Sequence, residues 1–305
     1  MFTQILSFQK EKNISVVQFQ TSNQNSFDYI SGSKAIKEMM IEVKEINESG
    51  SVNDLIAINL SDNYIFFMDG DILEGAKQNR VLNTSVFLAP HSKTIVPVSC
   101  VEQGRWNTRT ESFNLSTDIS PSIIRAKKSK SVSKNLEENE LAYADQGEVW
   151  DDVKDYKIRF KVDSVTENLS DVLEKERINS EQLINAFKIN DAANGLAVFV
   201  NKNLLTVDLF NRTDIYSEYF NKILRSVAIE TIKLTKMDNR LERAEANYKT
   251  LSLLDNIETI ECKEYPGIGV GRERRFENEK LTGFQLDYND VLIHLNALKI
   301  EKSLG

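Results

Sequence analysis

The chain has 305 residues, of which 41% are hydrophobic and 9% aromatic, a composition typical of a folded globular protein. A chain of this length forms either one large domain or two smaller ones. The formal net charge of −8 argues against a general nucleic-acid binder, because release of counterions requires a basic surface. The net charge is still compatible with a local basic pocket.

The cysteine and histidine content excludes two further classes. Cys100 and Cys262 are too few for a disulfide framework, and two histidines without a Cys-x-x-Cys pair give no zinc-site spacing. The N-terminus lacks the pattern of a signal peptide, and no run reaches the ~20 apolar residues that cross a bilayer. We therefore expect a cytoplasmic protein that does not enter a membrane.

Short apolar runs dominate the first 117 residues and predict a β-rich region. They indicate strands at residues 14–19, 54–60, 64–68, 81–88 and 94–101. A hairpin loop is expected at residues 89–93. One amphipathic helix is expected from Ser31 through Val43, with Ser33 and Glu38 near its start. The short connections favour a mainly antiparallel sandwich or partly closed barrel.

The remaining residues, 118–305, predict a helical and β-hairpin region. The polar segment of residues 118–147 is expected to be a mobile loop or a surface helix, with its basic cluster, residues 125–130, on a solvated face. Apolar spacing predicts helices at residues 150–160, 169–173, 183–187 and 241–254, and one capped by Thr213. Strands at residues 195–200, 204–210, 284–288 and 291–295 are expected to share a sheet. The fold class is therefore α+β, with residues 1–117 and 118–305 packed as one unit.

Residues 69–106 concentrate the polar motifs of the chain. Gly70 and Gly75 have the spacing of a phosphate loop, but Gln78 stands where Ser or Thr binds magnesium, so we reject that interpretation. Asp69 and Asp71 follow a predicted buried strand, and in extended geometry both carboxylates project to one face. Such a pair can hold a divalent metal or divide acid and base roles. The alternative is a solvated turn, and when Asp69 and Asp71 are considered alone, the sequence favours this turn over a functional pair.

Two further groups of polar residues follow in the same stretch. Gln78, Asn79 and Arg80 suit a ligand with amide, ribose or phosphate groups, whereas the alternative pairs Arg80 with one of the preceding aspartates. Arg105 and Trp106 could clamp a phosphate and stack on a base, or form a salt bridge and a core aromatic. Cys100 ends an apolar strand and is expected to be inert packing. His91 and His294 are weak catalytic candidates.

The motifs at residues 68–85, 97–106, 146–153 and 196–210 together resemble the domain family named for its association with ADP-ribosylglycohydrolases and rhodanese-phosphatase proteins. The resemblance covers most of the chain and implies a setting in nucleotide or ADP-ribose metabolism, or in stress and phage conflict. It transfers no catalytic assignment. The residues that match the family motif are Gly70, Asp71, Gly75, Gln78, Asn79, Arg80, Ser99, Cys100, Glu102, Arg105 and Trp106.

The leading hypothesis is a protein that binds or processes a nucleotide-derived ligand resembling ADP-ribose or NAD; an enzyme of this kind would be a hydrolase. Asp71 and Glu102 would supply acid and base chemistry or, with a divalent cation, metal ligands. The ligand would be bound by Gln78, Asn79, Arg80, Arg105 and Trp106. The rival hypothesis is a homo-oligomeric scaffold or sensor, in which the same polar motif is a structural network.

Overall fold

The computed structural model describes residues 2–22, 27–234 and 241–300, which form six helices and 18 strands. The mixed α+β class expected from the sequence is confirmed. The first half contains β1 Thr3–Glu11, β2 Ile14–Thr21, β3 Tyr29–Ser31, α1 Gly32–Lys37, β4 Ile41–Glu45, β5 Asp54–Asn59, β6 Tyr64–Phe67, β7 Asp71–Gly75, β8 Arg80–Leu82, β9 Val86–Leu88, β10 Lys93–Cys100 and β11 Phe113–Ile119. The second half contains α2 Ser122–Asn139, α3 Gln146–Phe160, α4 Leu169–Ile184, β12 Gly195–Val200, β13 Asn203–Phe210, α5 Thr213–Thr231, α6 Arg243–Thr259, β14 Lys263–Pro266, β15 Ile268–Gly269, β16 Arg272–Glu277, β17 Leu281–Tyr288 and β18 Val291–Lys299.

An eight-stranded antiparallel sheet joins the two ends of the chain, in the order β1-β2-β12-β13-β18-β17-β16-β14. Its central strands are buried on both faces, since α5 packs on β12 and β13 while α6 packs on β1 and β2. Because both faces of β12 are buried, its sequence is a continuous apolar run without polar alternation. β2 pairs with β12, so strands from both sides of residue 117 share this sheet. A boundary at that residue stays a prediction.

A second, six-stranded sheet carries the polar motifs, in the order β11-β7-β8-β10-β5-β4. It curls into a half-barrel because β10 pairs along its first part with β5 and along its end with β8. The four-stranded sheet β15-β9-β6-β3 packs between the two larger ones. The partly closed barrel expected for the N-terminal region is thus present.

Two local predictions in the first half are wrong. The helix expected through Val43 ends after Lys37, because Met39 adopts a left-handed φ of 56° and the chain continues as β4. Ser31, not Ser33, caps this helix by accepting a hydrogen bond from the Lys34 amide at 3.1 Å. The expected strand over residues 81–88 is two strands in different sheets, so β9 and β10 do not form the expected hairpin.

Three predictions in the second half are also corrected. The segment around residues 118–147 contains α2, and its Arg125 and Lys128 are buried instead of solvated. The helix expected at residues 183–187 is the end of α4. Thr213 is the first residue of α5 and makes no capping hydrogen bond; Arg212 holds the cap position. The expected strand pairing of residues 195–210 and 284–295 in one sheet is confirmed.

Gly269 is the residue on which the pairing of β15 with β9 depends. Its φ is +89°, and a Cβ atom there would lie 2.2 Å from the carbonyl oxygen of Phe87. We predict that Gly269→Ala lowers the free energy of unfolding by about 2–4 kcal/mol, because backbone strain adds to the steric overlap. Urea unfolding followed by circular dichroism measures the change. Gly147→Ala in α3 is the control and should change stability by less than about 1 kcal/mol; equal effects would contradict the prediction.

Candidate functional site

Glu102 and Arg105 form the centre of one buried polar cluster at the end of β10. Arg105 Nη2 donates to Glu102 Oε2 at 2.6 Å, and both side chains are buried. The same guanidinium donates to the carbonyl oxygens of Ala76 at 2.6 Å and Gly75 at 3.1 Å. Thr166 donates to the second Glu102 oxygen at 2.8 Å. The ion pair therefore ties the loop after β10 to the turn between β7 and β8.

The amides of Gln78 and Asn79 complete this Glu102 cluster. The Asn79 backbone N–H donates to Glu102 Oε2 at 3.0 Å, and the Asn79 side-chain oxygen accepts from Arg105 at 3.2 Å. Gln78 donates to the Glu102 carbonyl at 3.0 Å and accepts from Arg80 Nη1 at 2.8 Å. Both amide side chains are directed to protein partners and hold the β7–β8 turn in shape.

Arg80 differs from the other arginines of the interior. It is fully buried, yet its two short hydrogen bonds go to neutral oxygens, those of the Gln78 side chain and the Ser51 carbonyl at 3.1 Å. Its nearest carboxylate is Glu45 at 4.0 Å, and its Nε has no hydrogen-bond partner among the described residues. Burial lowers the pKa of the Arg80 guanidinium, which marks a positive charge that is only partly compensated.

Trp106 covers this charge at the surface. The Arg80 guanidinium lies 5.6 Å from the centre of the indole ring, the Lys77 ammonium lies 5.7 Å from it, and the side chain is 46% exposed. Arg109, whose side chain is largely exposed, lies 4.0 Å from Glu102. The sequence left two interpretations for Arg105 and Trp106, a ligand clamp or a salt bridge with a core aromatic. Arg105 forms the salt bridge, whereas Trp106 is exposed and is not a core residue.

The ionisation of Glu102 and Cys100 follows from their surroundings. Burial raises the pKa of Glu102, but hydrogen bonds from Arg105, Thr166 and the Asn79 amide outweigh it and hold the pKa below its ordinary value. Glu102 is therefore a fixed anion at neutral pH. Burial raises the pKa of the Cys100 thiol, which agrees with the expected inert packing, since the thiol and not the thiolate is present at neutral pH.

Asp71 lies outside the Glu102 cluster and shares none of its hydrogen-bond partners. It accepts from Tyr219 at 2.7 Å, Lys222 at 3.3 Å and the Met68 amide at 2.9 Å. Gly70 turns the chain with a φ of +83° between the two aspartates. Asp69 and Asp71 consequently have different cation partners, and neither pairs with Arg80.

Asp69 belongs to a second buried cluster, which sequence reasoning did not find. Arg125 of α2 binds both oxygens of Asp69, at 3.0 and 3.1 Å, and also Asp208 of β13 at 2.8 Å. His294 of β18 lies 3.5 Å from Asp208 and 3.0 Å from the hydroxyl of Ser85. The only sequence signal was an ionisable residue inside each apolar strand, in LLTVDLF for β13 and VLIHLNAL for β18.

This Asp69 cluster contains the residue types of a catalytic or metal site, but the Arg125 side chain already binds its two carboxylates. Ser85, His294 and Asp208 provide the groups of a nucleophilic triad, and all three are inaccessible to solvent. Ligand atoms of Asp69, Asp208 and His294 lie within 4.8 Å of one another, where the Arg125 guanidinium already binds both carboxylates. The pKa of Asp208 is held well below its ordinary value: Arg125 and His294 outweigh the effect of burial.

Two surface depressions lie beside these clusters. A cleft of about 340 Å³ borders the Glu102 cluster through Glu74 and Ser170, whose hydroxyl donates to Glu74 at 2.8 Å. A groove of about 670 Å³ reaches Thr84 and Glu273, which are joined by a 2.5 Å hydrogen bond. Carboxylates outnumber cations in both linings, so neither offers a ready site for phosphate.

The structure thus brings Gln78, Asn79, Arg80, Glu102, Arg105 and Trp106 into one cluster and leaves Asp71 outside it. The acid and base roles of Asp71 and Glu102, the ligand roles of the other residues and the metal role of Asp69 and Asp71 stay predictions. What the sequence missed is a pair of surface cations, Lys77 beside the indole and Arg109 beside Glu102. Their positions depend on the β7–β8 turn and the loop after β10.

Comparison with known proteins gives one family. The family model described as the ARG and Rhodanese-Phosphatase-superfamily-associated Protein domain matches residues 3–298. No curated protein and no solved structure has a significant match to the chain. Across the described ranges, each helix is too short or too polar to span a bilayer.

The lowered pKa of Glu102 predicts how its substitution depends on pH. Glu102→Gln should lower the free energy of unfolding by roughly 3–5 kcal/mol at pH 7, because Arg105 is left as an unpaired buried charge. The folded pKa lies below the ordinary value of 4.5, so the ion pair contributes fully above that pH and its contribution is lost as the pH falls further. Urea unfolding between pH 7 and pH 3 measures the difference.

The double variant Glu102→Gln with Arg105→Met is the control for this prediction. Removal of both charges should restore part of the lost stability, since neither charge then lacks its partner. A difference between wild type and Glu102→Gln that stays constant down to pH 3 would contradict an ionised Glu102 in the folded state.

Proposed function

The chain belongs to the family of the ARG and Rhodanese-Phosphatase-superfamily-associated Protein domain, and from this membership and the positive charge around Trp106 we propose that it binds a nucleotide-derived anion. The ligand class is that of ADP-ribose or NAD, which combines an aromatic base, ribose and a diphosphate. The proposed binding surface consists of Trp106 and Lys77, with Arg80 beneath the indole, together with Arg109 beside Glu102. We call it the Trp106 surface.

The observation that carries the proposal is the incomplete neutralisation of Arg80. Arg105, Arg125 and Arg275, the other buried arginines of the described residues, each have a carboxylate within hydrogen-bonding distance. Arg80 has none closer than 4.0 Å. Desolvating a cation is costly, and an anion bound above it would recover part of that cost through an interaction that water screens weakly.

The local charge supports the same ligand class. Lys77, Arg80, Arg105 and Arg109 are connected through contacts with Trp106, Glu45 and Glu102, and Glu74 reaches Asn79 through Ser170. Four cations thus meet three carboxylates among these described residues. The surroundings are therefore positive although the whole chain has a net charge of −8. Such a local field attracts anions and raises their rate of association.

The polar and aromatic residues of the motif have different roles in this proposal. The exposed face of Trp106 stacks on the base, and Lys77 and Arg109 bind the diphosphate at the surface. Gln78, Asn79 and Arg105 are positioning residues, since their polar groups hold Glu102 and the β7–β8 turn. A hydrolase role for Asp71 and Glu102, with or without a divalent cation, is a further proposal. It would require both carboxylates to exchange their present protein partners for substrate.

A second candidate function is a non-enzymatic scaffold or sensor that acts as a homo-oligomer. The protein partners of both Glu102 carboxylate oxygens favour it, because a buried ion pair held in this way can fix the fold without a ligand. For both candidates we propose a cytoplasmic setting in stress or phage conflict. The two free thiols, Cys100 and Cys262, agree with a reducing compartment.

Calorimetric titration with ADP-ribose tests the first candidate, with ADP and NAD as further ligands. Trp106→Ala should weaken binding by about 1–3 kcal/mol, the contribution of one stacked base, which corresponds to roughly 5- to 150-fold in Kd. Lys77→Met should weaken it less, and its effect should shrink at high salt, because an exposed ion interaction is screened. Circular dichroism melting checks that each variant is folded.

Matched controls lie elsewhere on the surface. Tyr248→Ala removes an exposed aromatic from α6, and Lys134→Met removes an exposed cation from α2; both variants should bind ADP-ribose like the wild type. Wild-type affinity in folded Trp106→Ala, or no binding of any of the three ligands at millimolar concentration, would refute the first candidate. A stable oligomer without ligand binding would favour the second.

A further inference from the structure

The groove of about 670 Å³ lies at an edge of the eight-stranded sheet, away from the residues of the Trp106 surface. One wall is the C-terminal end of α2, with Leu136, Glu137 and Glu140, and the other is β14, Lys263–Pro266, with Ile268 beyond it. We call it the β14 groove. It is independent of the proposed nucleotide site, since it shares no lining residue with the Glu102 cluster.

β14 is the last strand of its sheet. It pairs with β16 on one side, from Lys263 opposite Arg275 to Pro266 opposite Arg272, and no other described strand pairs with it. The backbone N–H and C=O groups on its outer side are therefore available to another extended chain. Within β14 only the nitrogen of Pro266 lacks a hydrogen to donate.

The groove beside this edge combines an apolar floor with an acidic rim. Leu136, Tyr265 and Ile268 provide apolar surface, and Glu137, Glu140 and Glu264 provide exposed carboxylates. Lys263 is the only cation in the described lining, and Glu137 already binds it at 2.8 Å. Arg272, outside the lining, lies 3.7 Å from Glu264, so carboxylates remain in excess at the rim. A ligand that fits this surface presents apolar groups to the floor and positive charges to the rim.

We propose that the β14 groove binds an extended, basic peptide segment of a partner protein, which adds a strand to the edge of the sheet at β14. Backbone hydrogen bonds to β14 provide affinity, and the alternation of side chains provides specificity. Alternate residues of the peptide face the apolar floor, while its Lys or Arg residues reach Glu137, Glu140 and Glu264. An anionic nucleotide is disfavoured here by the same carboxylates.

A second copy of this chain fits the groove poorly. Pairing of two β14 edges brings two acidic rims together, and like charges at an interface oppose association. β14 is also short and contains Lys263 and Pro266, features that protect edge strands from pairing with themselves. Positive charge on the partner removes the repulsion, so the rim selects a basic segment over another copy.

Fluorescence anisotropy with the full chain tests the proposal. The probe is a fluorescein-labelled peptide of eight residues that alternates Lys and Val. It should bind saturably, and Glu264→Lys or Glu137→Lys should weaken binding by about tenfold or more, because charge complementarity is reversed at the rim. Glu138→Lys, next to the groove on the same helix, makes the same change in net charge and should weaken binding by less than about threefold.

A second peptide separates strand addition from general charge attraction. N-methylation of alternate amides removes the hydrogens that pair with β14 but retains every lysine, so the methylated peptide should bind about tenfold more weakly. Equal affinity for both peptides, equal losses in Glu264→Lys and Glu138→Lys, or no saturable binding would overturn the proposal. Sedimentation that shows a dimer disrupted by Glu264→Lys would assign the groove to a second copy instead.

Discussion

The neutralisation of buried positive charge is the constraint on which this structure depends. Arg125 crosses from α2 to Asp69 in the curled half of the molecule and to Asp208 in the eight-stranded sheet, so one guanidinium joins three elements that are distant in sequence. Arg105 performs the same task for two loops through Glu102. Removing either partner leaves a charge in a medium where water cannot compensate it.

Among the buried arginines, Arg80 departs from this rule, and the departure separates the proposed functional site from the framework. Lys128 is a second exception among the buried cations, since its described hydrogen bond goes to the Leu82 carbonyl oxygen. Residues whose hydrogen-bonding groups are satisfied by protein partners, such as Glu102, Asn79 and Asp71, hold loops and strands in place. Arg80 Nε has no hydrogen-bond partner among the described residues, and the same is true of Arg105 Nε and Arg125 Nη1. Of these three guanidinium groups, Arg80 is the one that contacts the exposed Trp106 indole, which Lys77 also approaches. The buried residues of the motif thus hold the fold, while Trp106 and Lys77 at the surface can contact a ligand.

Sequence reasoning identified the fold class and the strongly apolar strands, because alternation and apolar runs are local signals. It did not predict the more polar strands β1, β4, β7, β11 and β14. It placed Gln78, Asn79, Arg80, Glu102, Arg105 and Trp106 in one region because they lie close together in the chain, and the pairing of β8 with the end of β10 brings their two segments together. It could not find the Asp69 cluster, because Asp208 and His294 meet through the pairing of β13 with β18, while Arg125 and Asp69 reach them from α2 and from the segment before β7. It misjudged the basic segment of α2 for the same reason: Arg125 and Lys128 have acidic or carbonyl partners that are remote in the chain.

A crystal structure of the chain with ADP-ribose will show whether the Trp106 surface holds the anionic part of a nucleotide-derived ligand. We expect the base stacked on Trp106 and the diphosphate within hydrogen-bonding distance of Lys77 or Arg109, while the Glu102–Arg105 pair stays in place. Diphosphate density in the β14 groove, or beside Asp69 after displacement of Arg125, would instead show that the ligand binds elsewhere.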